Sequence, residues 1–564
     1  MPDDAEPTGP SPIETASDLG GVLTPTFSPS VRAELAEFGE ERQLRAGELI
    51  YGPGDEDWYF SVVLEGSLEV VRLDDGHTDT VARYEPGQFI GELWMVTGQR
   101  PFLTARAASD SQALMIPPLE FRRLLATKPS VADTVFGAFI ARREVLRTSP
   151  AALTIRIVGS QYSSEALALR TFAARNRLPY TWVDLEESDD VEQLLASMGV
   201  GVADTPVVIT PTAVLRNPSP GQFADLLGLT YRPVPGHLFD LVVVGTGPAG
   251  LAASVYGASE GLDTVALDAS GPGGQAGSSS RIENYAGFPN GVSGGDLTAR
   301  TAIQAQRLGA RLVSPCQATS LRMEDGFHVV TLTDDSEIPC RSVIVATGAR
   351  YRRLEVPDLE RFEGRGVYYA ATDLEVRTCA GSEVLVVGGG NSAGQAAIYL
   401  SQEGATVSVI IRGPDLVSSM SRYLIDRIDA DPAIEVLADT EVRSLVGDDH
   451  LAGVGLEHTS TGQWREVGCT ALFCFIGAVP ATDWLAGSID LDPKGFIPTD
   501  RSLDAPVDGV DLFAGRHPLP FETSAPGVFA VGDVRLGSMK RVAAAVGEGS
   551  SAVRAVHEYL SVAG

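Results

Sequence analysis

Two stretches of this chain each join an apolar strand, a glycine-rich turn and a helix, and each commits the polypeptide to a β-α-β unit closed around that turn. The first, "FDLVVVGTGPAG" followed by "LAASVYGASEG", carries G-x-G-x-x-G at Gly245, Gly247 and Gly250, with Pro248 and Ala249 between the last two. Glycines there permit a tight turn and close backbone approach, and the helix N-terminus offers free N–H groups to a pyrophosphate. About twenty residues on, Asp268 ends the next strand, where a carboxylate can accept hydrogen bonds from a ribose. The second, "EVLVVGGGNSAGQAAIYL", has Gly388, Gly390 and Ala393 in the G-x-G-x-x-A form, with Asn391 and Ser392 opening the helix. Its following strand, "TVSVIIRG", ends in Arg412 and carries no acid. An arginine there pairs with the 2′-phosphate of NADP, which favours NADPH and leaves NADH as the alternative. Two nucleotide folds in one chain imply two cofactors.

Further segments carry a resemblance. "GGQAGSSSRIENYAGFP", residues 273 to 289, "VIVATGA" at 343 to 349 and "PGVFAVGDV" at 526 to 534 stand in order after the first fingerprint. They resemble the flavoprotein segments of low-molecular-weight thioredoxin reductases, and the likeness runs from about 237 to the C-terminus. The resemblance implies FAD in the first fold, touched by Gly273, Gly274, Gln275, Asn284, Thr347, Gly348, Gly532 and Asp533. It also implies a helix N-terminus at Arg541 and Val542 set against the flavin ring, a nicotinamide domain inserted into the FAD domain, and a homodimer. The family usually shows two adjacent arginines after the second fingerprint, whereas this chain has Arg412, Gly413 and then Arg422.

One part of the family pattern is missing. Thioredoxin reductases carry C-A-T-C just before the second fingerprint, and the segment here is "GVYYAATDLE", with Ala370 at the first cysteine and Asp373 nearest the second. Disulfide exchange needs a thiolate, and neither a methyl group nor a carboxylate replaces one. The five cysteines, at 316, 340, 379, 469 and 474, include no C-x-x-C pair, and Cys379 lacks a resolving partner. No residue is assigned a catalytic role, and neither a metal site nor a disulfide framework is expected. Cys469 and Cys474 are expected on opposite faces of one strand, from their odd separation.

Ahead of the flavoprotein lie two smaller units. Residues 1–30 are rich in Pro, Ser, Thr and acid and are expected to be a disordered tail. From 31 to 148, short alternating strands with glycine turns precede helical stretches, which predicts a β-roll with helices at its end. Within it "YEPGQFIGELWMVTGQRPFLTARAAS" resembles the phosphate-binding cassette of cyclic-nucleotide-binding domains, with Glu92 at the position that holds the ribose 2′-OH. The arginine that pairs with the cyclic phosphate is replaced by Pro101, and a one-residue shift to Arg100 would misaim a bidentate guanidinium. A fold kept for docking or dimerisation is therefore expected ahead of cyclic-nucleotide binding, which stays open. The unit from 152 to 230 reads strand, helix, strand, helix, strand, helix, and resembles a glutaredoxin or thioredoxin fold. Where C-P-Y-C would open its first helix stand Ser160, Gln161, Tyr162 and Ser163, and Thr205 and Pro206 stand where that family has a cis-proline turn. Residues 231–236 read as a linker.

At 564 residues the chain exceeds one hydrophobic core. With 74 acidic against 43 basic side chains it carries a net charge of −31, and its field repels nucleic-acid phosphates and anionic lipid. The first basic residue is Arg32, so no positive n-region of a signal peptide is seen, and the uncharged run Leu241 to Ser259 is broken by Gly245, Gly247, Pro248 and Gly250. The expectation is a cytoplasmic protein without membrane or nucleic-acid partners. Its fold class is α/β multidomain, with the FAD domain from 237–352 and 481–564 and the NAD(P) domain from 353–480. Two functions compete: a flavoprotein oxidoreductase that passes hydride from NAD(P)H to FAD and on to an external acceptor, small molecule or redox protein, and a regulatory protein that senses cofactor or cyclic nucleotide on a degenerate reductase scaffold.

Overall fold

The computed structural model describes residues 22–563 except 56–57, 75–76, 98, 149–153, 162, 187–194, 196–198, 233–235, 280, 325, 372–375, 377–378, 504–512 and 514. The alternating strands of the first unit pair into two antiparallel sheets. One runs Glu40–Leu44, Ser111–Ile116, Phe60–Glu65, Phe89–Ile90, and the other Leu49–Tyr51, Thr104–Ala107, Leu68–Asp74, His77–Tyr84. Helices Pro118–Thr127 and Pro129–Thr148 follow, and Phe121 lies 4.7 Å from Phe60 in the core. This roll reaches back past its expected start. Phe27 is buried and stacks on Phe89 at 5.1 Å, and helix Pro29–Leu35 begins inside the segment read as tail, because the aromatic ring at 27 finds an apolar slot. Among the described residues no single helix is long and apolar enough to cross a membrane; the bent pair Pro118–Thr127 and Pro129–Arg143 passes on length and composition alone.

The second unit is a four-stranded sheet in the order Tyr180–Asp184, Ile155–Gly159, Val207–Ile209, Val214–Arg216. The first pair is parallel and the others antiparallel, and the Thr205–Pro206 peptide is cis. The short hairpin strand Val214–Arg216 is an addition to the sequence reading. Its one-residue alternation is too brief to register as a strand. Helix Ser164–Arg175 is capped by Ser163, and helix Pro220–Leu226 by a reciprocal Ser219–Gln222 capping box. The expected helix between them falls mostly outside the described residues.

The run "FDLVVV" becomes the strand Phe239–Val244, buried on both faces between Thr264–Leu267 and Glu337–Val345, all parallel. Continuous apolar runs suit such central parallel strands. The sheet extends to Arg311–Val313 on one side and to Phe327–Leu332 and Ala318–Glu324 on the other, and Val528–Ala530 returns from far along the chain to pair with Glu337–Val345. Tyr231, read as linker, packs against the core of this sheet. The inserted domain has a five-stranded parallel sheet, Val367–Tyr368, Ala471–Cys474, Glu383–Val387, Thr406–Ile410, Ile434–Leu437, with a three-stranded antiparallel sheet from 440 to 468. The two chain segments that join the domains pair with each other, Ala349–Tyr351 against Ala478–Pro480. Cys469 and Cys474 share one core cluster, not opposite faces, because Cys469 precedes the strand Ala471–Cys474 and escapes its alternation.

Candidate functional site

The first glycine loop is shaped by contacts that exclude any side chain. Gly245 has φ +103°, and a Cβ there would lie 2.4 Å from the Ala346 carbonyl oxygen; on Gly250 it would lie 1.8 Å from the Gly245 oxygen. Only glycine allows this strand-to-helix turn to press so close to its neighbours. Helix Pro248–Ser259 starts at the turn with Gly247 as its N-cap and no side-chain cap, so its first N–H groups are left for a ligand.

A cavity of about 440 Å³ opens in front of that helix. Gly245, Gly247, Pro248, Ala249, Asp268, Gly274, Gln275 and Asn284 line it, as do Thr347, Gly348, Gly532, Asp533, Arg541 and Val542. Thus segments separated by nearly the whole length of the domain meet on one wall. Gly250 and Gly273 act from behind it: Gly273 is buried and donates its N–H to the Thr246 carbonyl at 2.8 Å. Asp268 braces the loop through its carboxylate. Oδ2 accepts from the Thr246 N–H at 2.9 Å and its hydroxyl at 2.8 Å, while Oδ1 accepts from the N–H groups of Ser270 and Gly271 at 3.0 and 2.9 Å. These four donors fill the roughly four lone-pair sites of a carboxylate, so a ribose hydroxyl would have to share them. Burial pushes the Asp533 carboxyl above the usual range, and Glu548 adds to the rise while Lys540 opposes it. Burial likewise raises Tyr351, whose ring forms part of the cavity wall.

The second fingerprint reaches the same cavity. Gly388, at φ +137°, would place a Cβ 2.3 Å from the Phe475 oxygen, Gly390 is the N-cap of helix Asn391–Gln402, and Ala393 is fully buried beneath it. Asn391, Ser392 and Gln395 line the first cavity, so the inserted domain aims its helix start at the same space as the first fingerprint. The Asn391 side chain is held by Ser421, donating to its hydroxyl at 2.9 Å and accepting its N–H at 2.7 Å. Arg412 is three-quarters exposed, with Glu441 3.9 Å away, and Arg422 pairs with Asp426 at 2.8 Å.

Arg175, Tyr351, Gln395 and Trp484 also line the cavity and were not among the residues expected from sequence. Arg175 comes from the second unit, and no local pattern announces such a contact. Asp373 and Tyr162 lie outside the described residues. Ala370 lines a separate cavity of about 780 Å³. All five cysteines are buried and none is in a disulfide. Burial pushes the thiols of Cys316 and Cys469 up to about 12, and those of Cys340 and Cys474 further up. No group of three or more His, Cys, Asp or Glu among the described residues is placed to hold a metal ion.

In the roll, Glu92 is buried and paired with Arg142 of helix Pro129–Thr148 at 2.7 Å. Arg142 also donates to the carbonyls of Phe89 and Leu23 and lies over the rings of Tyr84 and Phe89. The carboxylate expected to meet a ribose is therefore engaged from within through Oε1, while Oε2 and the Arg142 Nη2 have no hydrogen-bond partner among the described residues. Beside Pro101, the Arg100 N–H donates to the Leu227 carbonyl at 2.8 Å, which docks the cassette on the second unit.

The loop, the paired helix starts and the distant segments fit a dinucleotide lying across the cavity, with its pyrophosphate on the uncapped helix N-terminus. Residues 239–549 match the pyridine nucleotide-disulphide oxidoreductase family, and residues 41–128 match the cyclic nucleotide-binding domain. The thioredoxin reductase of Streptomyces coelicolor is 31% identical over 328 residues, covering 57% of this chain and 94% of that protein. That of Treponema pallidum is 32% identical over 327 residues, covering 57% and 97%. The crystal structure of Lactococcus lactis thioredoxin reductase in its FR conformation aligns with a TM-score of 0.52 at 29% identity, covering 57% of this chain and 99% of that one.

Proposed function

Because the chain belongs to the pyridine nucleotide-disulphide oxidoreductase family, with a reductase part of the thioredoxin-reductase type, we propose that it moves electrons from NADPH by way of FAD to an external acceptor without an internal dithiol. When bound, the flavin supplies the two-electron chemistry, and the protein supplies position and field.

In this reading Gly245, Gly247 and Pro248 seat the FAD pyrophosphate, with Gly250, Gly273 and Asp268 holding the loop in shape. Gly274, Gln275, Asn284, Thr347, Gly348, Gly532 and Asp533 enclose the rest. The start of helix Val542–Ala563, beside Arg541, sets its positive end toward the flavin ring and favours negative charge there. Gly388, Gly390, Asn391, Ser392 and Ala393 form the NADPH turn, and exposed Arg412 is available to a 2′-phosphate. The presence of Asn391, Ser392 and Gln395 in the flavin cavity supports hydride delivery in this domain arrangement.

The single observation that carries the absence of a dithiol is Ala370, which stands in the sequence where the family has its first cysteine. The burial of every thiol supports it. The second unit, with Ser160 and Ser163 in place of a cysteine pair, is read as a thioredoxin-like domain without redox chemistry.

A second reading, a cofactor- or cyclic-nucleotide-responsive regulator, draws on the matched cyclic nucleotide-binding domain. The closed Glu92–Arg142 pair weighs against nucleotide entry. Anaerobic titration of the yellow holoprotein with NADPH and then NADH separates the two. Bleaching of the visible flavin band, stronger with NADPH, is expected; no bleaching with either would leave the regulator. A normal rate of insulin-coupled thioredoxin reduction would overturn the dithiol-free route.

A further inference from the structure

The cavity of about 780 Å³ lies where all four parts of the chain meet, and no step proposed above uses it. The roll contributes Arg143, the second unit Arg175 and Arg177, the first dinucleotide domain Ala299, Ala302 and Ile303, and the inserted domain Tyr369 and Ala370. Its size falls within the usual range of small-molecule pockets, about 300–1,000 Å³.

Its charges are unbalanced. Arg143 donates from Nη2 to the Asn176 carbonyl at 2.8 Å, and Arg175 from Nη1 to the Ser270 hydroxyl at 2.7 Å. Among the described residues neither has a carboxylate within ion-pair distance. The acids on the same wall are already engaged: Asp296 by Arg177 at 3.2 Å, and Glu363 by Arg353 and by the Tyr369 hydroxyl. Burial lowers Arg143 to about 10, with nearby Arg177 adding to the effect, which still leaves it a cation at neutral pH. A desolvated guanidinium is stable when an anion meets it, and its planar fork matches carboxylate, sulfonate or phosphate oxygens.

The lining also has apolar parts. Ala299, Ala302 and Ile303 of helix Gly294–Arg307, with Leu167 and Leu312, offer a surface for an uncharged body beside the polar Thr298 and Gln306. Arg175, Ser279 and Tyr351 line both this cavity and the flavin cavity, so the two are neighbours.

We propose that the junction cavity binds a small organic anion, its acidic group held by Arg143 and Arg175 and its aromatic or aliphatic body lying on helix Gly294–Arg307. The position of the family's first cysteine, Ala370, then opens onto a ligand pocket. The same ligand chemistry would serve a reducible acceptor or a non-reducible effector.

Calorimetry on the oxidised full-length holoprotein tests the site with naphthalene-2-sulfonate and its neutral counterpart, 2-naphthalenemethanol. The sulfonate is expected to bind at least about tenfold more tightly, and Arg143→Gln to remove that advantage. Ala299→Phe, which projects a ring into the cavity beside Ala302 and Ile303 without altering a charge, should weaken binding of both probes and keeps the test decisive if the arginine variant fails to fold. Flavin content and melting temperature serve as controls for folding. Equal affinity for the two probes, or sulfonate binding unchanged in both variants, would overturn the proposal. A further arm uses 1,4-naphthoquinone-2-sulfonate, reduced to its hydroquinone with one NADPH and one proton consumed. Competitive inhibition by naphthalene-2-sulfonate marks the cavity as an acceptor site, and binding without inhibition marks it as an effector site.

Discussion

Asp268 shows how one side chain can shape a site. Because its four donors come from the glycine loop and from the turn after its own strand, the carboxylate fixes the spacing between them before any ligand arrives. His328 is a residue-scale case with a measurable signature. It is 2% exposed; one ring nitrogen bonds the Pro526 carbonyl, and Nε2 has no partner among the described residues. Burial therefore holds its pKa below the ordinary 6.5. A depressed histidine pKa means that the fold favours the neutral ring, so its stabilisation is complete above 6.5 and is lost as pH falls toward the folded value. We expect the melting temperature to drop between about pH 7 and pH 5, each tenfold weakening of proton binding amounting to about 1.4 kcal/mol, and His328→Gln to flatten that drop. Thermal melts across this range check it; parallel curves for the two proteins would count against it.

Among the elements, one close crossing joins the two ends of the FAD domain. Helix Val542–Ala563 passes over helix Pro248–Ser259 so closely that a Cβ on Gly549 would lie 2.0 Å from the Ala249 oxygen. Both helices present their starts to the same cavity, so their spacing sets where the first glycine loop and Arg541 lie relative to each other. Gly549→Val should push them apart, cost about 1–3 kcal/mol as overpacking does, and lower flavin occupancy. The ratio of flavin to protein absorbance after purification reads the second effect directly. The Glu92–Arg142 pair is the corresponding feature of the roll, an acid at the start of helix Glu92–Thr97 joined to the closing helix. Removing one member of such a buried pair commonly costs about 3–5 kcal/mol, because the other charge is left uncompensated, so Arg142→Ala should destabilise the roll in thermal melts.

At the scale of the whole molecule, the N-terminal units are docked on the reductase part. Asn176 donates from its amide to the carbonyls of Phe172 and Ser270 and accepts from the Ser314 hydroxyl, Arg177 reaches the Gly295 carbonyl, and Arg307 pairs with Asp133 of the roll. Asn176 also lines the junction cavity, where its carbonyl accepts from half-buried Arg143. The thiols are buried throughout the reductase part, and burial raises those of Cys316, Cys340, Cys469 and Cys474 above the ordinary range. Native protein is therefore expected to react with a thiol-disulfide reagent at almost none of its five cysteines over minutes, and at all five once unfolded in guanidinium. Rapid reaction of two native thiols would reopen an internal relay.

The sequence by itself determined the two dinucleotide loops. Gly245 and Gly388 mark turns at positive φ that favour glycine, and the short, valine-rich apolar runs beside them suit central parallel strands. The lack of a C-x-x-C pair is also read directly from the sequence, with Ala370 in the segment ahead of the second fingerprint. The order of roll, small sheet and flavoprotein followed from changes in hydrophobic period. Tertiary structure alone decided the contacts between units far apart in the chain: Arg175 at the flavin cavity, Arg142 on Glu92, the meeting of both fingerprint helices at one wall, and the arginine-lined junction. It also moved the roll's start back to Phe27 and placed Cys469 and Cys474 in one cluster. Local pattern records which face of an element is apolar, but not what will cover it. That choice depends on packing between surfaces hundreds of residues apart, where burial turns an ordinary arginine or histidine into one with a role.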